Sequence, residues 1–185
     1  MRNHLLLFLT FLIAMPISTV AGDTSIYLSG GFRNLKWGIS VKEASIIYKD
    51  LRKYNRKSKS PFDAYDNMSL YDRENEDKHV GGVVFREIVY SFYHDKLYKV
   101  MMAESGNENV VINMFDVLTK NIMTKYGNPA EDNISPGEFS IRMTKWVSDG
   151  TEITTLLMFI GEKESRIGSM SLELKSTKPM GELGF

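Results

Sequence analysis

The chain has 185 residues, with 23 basic side chains against 23 acidic ones and not one cysteine. A formal charge of zero provides no global field for nucleic acid. Without cysteine there is no thiol nucleophile, no disulfide staple and no lipid anchor of the cysteine-linked kind.

The first stretch, "MRNHLLLFLTFLIAMPISTVAG", joins a basic residue to an apolar run, a helix-breaking Pro16 and small residues at Ala21 and Gly22. This is the layout of a cleaved secretory signal, residues 1–22, with cutting expected after Ala21 or Gly22. Its apolar run is short of the roughly 20 residues of a membrane span, so no transmembrane segment is expected after cleavage. An exported domain that does without disulfides fits a bacterial periplasm or exterior. About 160 residues remain, enough for one domain that hides roughly 70% of its unfolded surface by burial alone. The expectation is therefore a single α+β domain over 23–178 and a loose C-terminal tail, "PMGELGF", over 179–185.

In "GFRNLKWGISVKEASIIYKDL" a Trp-Gly pair precedes a helix start. Ser40 can cap the free amides of the first turn while Glu43 reaches back, a capping box. Val41, Ala44, Ile47, Tyr48, Leu51 and Tyr54 recur at helical spacing and predict an amphipathic helix over 41–54. Gly38 permits an unusual backbone angle before the cap, and Trp37 either covers the helix end or stacks on a ligand.

The chain is basic from 49 to 59 and acidic from 63 to 77. It reads as a solvated helix end followed by a polar loop whose charges lie near one another, or as an anion site on Arg52, Lys53, Arg56 and Lys57. The run "YDRENEDK" has three spaced acids but lacks the glycine and final acid of a calcium loop.

"VVFREIVYSFYHDKLYKVMMAES" predicts two strands around a turn at His94–Asp95, with Ile88, Tyr90 and Phe92 on one face. Gly81-Gly82 marks a bulge or the loop leading into that hairpin. "NENVVINMFDVLTKNIMTKYGNP" predicts a second amphipathic helix with Val111, Met114, Phe115, Leu118, Ile122 and Tyr126 as its stripe, stopped by Gly127 and Pro129. A loop carrying Pro136-Gly137 leads to three strands at 139–147, 151–160 and 166–175, with Asp149-Gly150 a strong hairpin turn. The fold class read from these elements is α+β: an antiparallel sheet, made of a hairpin and a three-stranded meander, with two amphipathic helices packed on one face. Each helix ends in Lys-Tyr and leads into strands, which suggests two α-then-β units side by side.

The segments "GFRNLKWGISVKEA", "VYSFYHDKLYKV" and "LTKNIMTKYGNP", in that order, resemble a family of small exported bacterial proteins of uncharacterised function. The shared pattern is a Trp-Gly-x-Ser start and a Lys-Tyr-Gly-x-Pro helix stop, over most of the mature chain. No catalytic residues come with the likeness. More loosely, the element pattern is similar to β-lactamase-inhibitor-like modules and to small lipoproteins of outer-membrane assembly, which implies protein binding. The second group is anchored through a cysteine that this chain lacks.

Neither a Gly-x-Ser-x-Gly elbow nor a Gly-x4-Gly-Lys phosphate loop occurs, and His79 and His94 are not spaced as a zinc site. No metal or cofactor is expected. Met101-Met102 could suit Cu(I), but neighbours on a strand face opposite ways. These features point to an exported non-enzymatic binding or adaptor domain of the envelope, acting on a protein or other macromolecule through its sheet or the Arg52 stretch. The alternatives are a small periplasmic hydrolase using Glu87, His94 or Asp95, and a carrier with an apolar cavity between helices and sheet.

Overall fold

A computed structural model of the chain describes residues 30–54, 68–135, 140–160, 166–178 and 182. The expected leader, Arg56, Lys57 and nearly all of the expected tail lie outside these residues. In chain order the elements are β1 (Gly31–Phe32), β2 (Leu35–Lys36), α1 (Val41–Ile47), β3 (Leu51–Lys53), β4 (Met68–Arg73), β5 (His79–Val80), β6 (Val83–Val84), β7 (Glu87–Tyr93) and β8 (Lys96–Asn107). Then follow α2 (Glu108–Tyr126), β9 (Glu131–Ser135), β10 (Ser140–Ser148), β11 (Thr151–Ile160) and β12 (Ile167–Ser176).

One eight-stranded antiparallel sheet holds the fold together, in the order β3-β4-β7-β8-β12-β11-β10-β9. Two short ladders, β1-β2 and β5-β6, stand outside it. The expected hairpin and meander are thus parts of a single sheet, each enlarged by strands the sequence did not announce. The order is also a palindrome. A helix followed by a four-stranded meander occurs twice, and the two units meet through their last strands, β8 and β12. That seam is continuous from Lys99 paired with Lys175 to Asn107 paired with Ile167.

Two-residue turns set the register. His94 and Asp95 have φ of 45° and 64°, and Asp149 and Gly150 have 49° and 72°, the left-handed pairs that match strand twist in a tight hairpin. Gly81 and Gly82, at 59° and 83°, form the turn of the β5-β6 hairpin rather than a bulge.

The first helix is shorter than its periodicity predicts. Its capping box is present, with Ser40 N–H donating to Glu43 Oε2 at 2.9 Å and Glu43 N–H donating to Ser40 Oγ at 3.2 Å. It nevertheless ends at Ile47, and Leu51, Arg52 and Lys53 pair with Arg73, Asp72 and Tyr71 of β4. The cause is tertiary: the cross-strand pairing places Arg52 opposite Asp72, and Tyr48 lies under the guanidinium of Arg73, 3.7 Å from its ring centroid. These gains outweigh a helical propensity that is modest for consecutive isoleucines. Part of the expected stripe is therefore wrong: Ala44 is buried, but Ile47 is 44% exposed. Likewise, the stretch expected as a polar loop contains strand β4.

The second helix follows its pattern. Asn107 caps it by accepting from Asn109 N–H at 3.0 Å, and Gly127 ends it at φ 80°. Val111, Phe115, Leu118 and Ile122 are buried, each contributing roughly 2 kcal/mol of hydrophobic stabilisation. The helix lies across β8, β12 and β11. It meets one side of the sheet, where Ile153, Leu157, Leu172, Leu174, Val100 and Met102 form one core with Phe32, Leu35 and Ala44. Both helices thus contribute to a core on one side, and Leu51 packs against it from β3. No helix among the described residues is long and apolar enough to cross a membrane.

Candidate functional site

The first half of α2 carries more apolar surface than the core takes up. Val110 and Val117 sit seven residues apart, two turns, and so lie on one flank; they are 55% and 43% exposed. Facing them is the β5-β6 hairpin, whose Val84 is 49% exposed. Between hairpin and helix runs a groove of about 500 Å³, within the size range of small-molecule sites. Val83, Val84, Val110, Val111, Met114 and Val117 give it apolar walls, and Glu104, Ser105 and Asn113 supply its polar groups.

Beside the groove the hairpin turn is anchored to the helix. Asn121 Nδ2 donates to Gly81 O at 3.0 Å, tying the hairpin turn to α2. A Cβ on Gly82 would stand 2.5 Å from Asn121 Nδ2 and 3.2 Å from Val117 Cγ1, so glycine is needed for this approach as well as for its positive φ. At the rim, Arg86 Nη2 donates to Ser105 O at 3.1 Å and stands 3.4 Å from Glu104 Oε1.

The residues singled out from sequence fall elsewhere. Arg52 lies on the sheet-edge strand β3, where its Nε and Nη2 donate to the two carboxylate oxygens of Asp72 at 3.0 and 3.2 Å, with Glu74 at 3.6 Å. The hydrogen bonds to Asp72 raise the pKa of Arg52 further. Lys53 is exposed beside it. The opposite charges of this region do lie together, and the charge of Arg52 is answered within the fold. Trp37 packs partly buried against the core and donates from Nε1 to Thr151 Oγ1 at 2.8 Å.

Glu87 begins β7 and takes a hydrogen bond from the Tyr54 hydroxyl. His94 and Asp95 stand past the other end of the same strand, about 23 Å away at the rise of extended chain. Asp95 Oδ1 accepts from Val41 N–H at 3.2 Å, and the His94 ring meets Tyr93 edge-on. The three residues do not converge on one centre.

A polar cavity of about 90 Å³ lies by the β3-β4 edge, bordered by Arg52, Asp72, Arg73, Glu74, Glu76, Lys78 and Glu87. Its groups serve the fold. The Glu76 carboxylate, 2% exposed, pairs with Arg33 and with Arg73 at 3.4 Å, and accepts from the Tyr90 hydroxyl at 2.7 Å. Arg73 in turn holds Asp50 at 3.0 Å, which keeps the Asp50 carboxyl below the usual aspartate range. The acids of the "YDRENEDK" run are therefore largely engaged by arginines. Met102 faces the core and Met101 the other side of the sheet.

The side of the sheet away from α2 presents Met101, Met143, Leu156 and Met158, all partly exposed, beside a row of paired charges. Lys145 and Lys175 flank Glu152 at 2.9 and 3.7 Å, and Lys99 meets Glu173 at 3.1 Å.

Sequence reasoning did not find the groove. A signal was there: Val110 and Val117 fall outside the core stripe of α2, so the helix is apolar over more of its circumference than one packing face requires. What the sequence withholds is the position of the β5-β6 hairpin opposite them. No protein-family model, no curated protein and no solved structure matches the chain.

Proposed function

We propose that this is an exported, non-enzymatic binding domain of the bacterial envelope, and that it carries a small apolar ligand in the groove between α2 and the β5-β6 hairpin. The observation behind this reading is the groove itself: a ligand-sized cavity whose wall residues Val84, Val110 and Val117 are left about half exposed, where a fold with no occupant to cover them gains nothing from apolar side chains. Export rests on the leader-like first 22 residues and on the likeness to small exported proteins. The groove is favoured over the two macromolecule surfaces considered from sequence because the charges on the sheet face away from α2, like Arg52 on the edge, already have partners within the fold.

The test is saturable binding of a neutral apolar fluorophore, N-phenyl-1-naphthylamine, to the purified mature chain, set against Val110→Trp and Val117→Trp. Both positions are exposed, so an indole there fills the groove without entering the core. Saturable enhancement in the parent, weakened at least about tenfold in both variants, is the expected result. A parent that shows no saturable binding refutes the reading. Native mass spectrometry of protein purified from the envelope fraction should also reveal retained small molecules.

A further inference from the structure

We infer, resting on the groove as the ligand site, that its occupant is a cationic amphiphile: an apolar body bearing a protonated amine that pairs with Glu104. Among the described residues that line the groove, Glu104 is the one charged side chain, with Arg86 standing at the rim beside it. It sits opposite Met170 across the β8-β12 seam, on the core-facing side of β8 that also carries Val100 and Met102. A lone carboxylate in such a row is out of place for packing, because taking a charge out of water costs free energy unless it is well paired.

Its pairing within the fold is thin. The Glu104 side chain is only 17% exposed, and Oε1 accepts from Ser105 N–H at 2.9 Å. The counter-charge is Arg86, at 3.4 Å from the same oxygen, 67% exposed and with Nη2 already donating to Ser105 O. So exposed a cation, at that distance, holds the carboxylate weakly. An ammonium group delivered from within the groove would approach from the side that faces the apolar walls, desolvated by the ligand's own body, and would form a charge-assisted hydrogen bond. An anionic head would be placed against Glu104 and repelled. A neutral body would leave the carboxylate as it is.

Three probes with comparable aromatic bodies separate these cases: dansylcadaverine, which ends in a primary amine, neutral N-phenyl-1-naphthylamine, and the anion 1-anilinonaphthalene-8-sulfonate. The parent should bind the amine at least about tenfold more tightly than the anion. Glu104→Gln, close in shape, should lower the affinity for the amine about tenfold relative to that for the neutral probe. Arg86→Ala should tighten the amine, because it removes the competitor for the carboxylate. That sign is diagnostic: if Arg86 were itself the head-group receptor, its loss would weaken the anion instead. Preference for the anion, or an amine affinity indifferent to Glu104→Gln, overturns the inference while the groove stands. Failure of the neutral probe to bind the parent removes the groove reading, and this inference with it.

Discussion

The indole N–H of Trp37 donates to the hydroxyl of Thr151 at 2.8 Å, across 114 residues. It thereby ties the segment before α1 to the first residue of β11, one helix-and-meander unit to the other. Thr151 is fully buried, so its hydroxyl has little chance of a replacement partner. Trp37→Phe keeps most of the ring and removes the donor; it should cost about 1 kcal/mol in urea unfolding. Trp37→Ala should cost about 3 kcal/mol, since it also empties packed space. Neither should change binding of the neutral probe by its own contact. A Trp37→Phe protein with unaltered stability and impaired binding would move Trp37 from the scaffold to a ligand site.

The elements that proved legible are those whose signals are local. Asn107, the Val111-to-Ile122 stripe and Gly127 define α2 without help from elsewhere, and alternation together with Asp149-Gly150 defines β10 and β11. The illegible ones depend on distant partners. Leu51, Arg52 and Lys53 continue a helical period, and only Tyr71, Asp72 and Arg73, some 20 residues on, convert them to strand. Strand β9 is five exposed residues, Glu-Asp-Asn-Ile-Ser, which no propensity scale favours as strand; it exists because β10 offers an edge, and Arg142 reaches Asp132 at 3.0 Å. Lys-Tyr at 53–54 and at 125–126 points to two α-then-β units, yet Lys53 lies in β3 and not at a helix end, and the pairing of β8 with β12 that makes the sheet a palindrome is a long-range fact. The same holds for the site: α2 advertised excess apolar surface, and its counterpart was set by a glycine turn.

Where α2 crosses the seam, Gly106 and Gly168 face each other. A Cβ at Gly168 would meet Val111 Cβ at 3.0 Å and Phe159 Cε1 at 3.2 Å, whereas one at Gly106 would find Val111 Cγ2 at an ordinary 3.9 Å. Gly168→Ala should therefore destabilise by about 1–3 kcal/mol through overpacking. Gly106→Ala should be neutral or slightly stabilising, since alanine loses less chain entropy in a strand. Adding Val111→Ala to Gly168→Ala should cost less than the separate effects summed, as expected of residues in contact. Equal effects of the two glycine substitutions would contradict this account of the crossing. Chemical denaturation of the parent and the four variants, Val111→Ala alone included, decides it.

The buried Glu76 joins the β1-β2 ladder to the large sheet through Arg33, Arg73 and Tyr90. Glu76→Gln keeps the shape and leaves two arginines without their shared counter-charge. Breaking a buried pair in this way should cost about 3 kcal/mol. The loss should be greatest in hydrogen exchange at residues 31–36, because they are held by Arg33. A variant as stable as the parent would show that the cluster is a by-product of packing.

Tyr90 gives this region an alkaline limit. Its ring is fully buried, and that burial is the largest influence on its phenol, pushing the pKa far above the ordinary 10.0; the cations Arg33 and Arg73 pull it back only in part. A group whose pKa is raised by folding contributes stability that is complete below its unfolded value and is lost as pH rises toward the folded one. Above pH 10 the unfolded chain releases the Tyr90 proton while the folded chain keeps it, so unfolding becomes easier by up to about 1.4 kcal/mol per pH unit. Phenolate absorbance should accordingly rise in two phases, less buried tyrosines first and Tyr90 only together with loss of the far-ultraviolet circular dichroism. Tyr90→Phe removes its own share of the late phase, leaving that of Tyr126, which burial pushes up to about 12, and, with no proton to lose at position 90, flattens the alkaline slope. It also forfeits the hydrogen bond to Glu76, so its stability at neutral pH should fall by about 1 kcal/mol. Ionisation of every phenol before any structural change would mean that the Tyr90 hydroxyl reaches water in the folded chain.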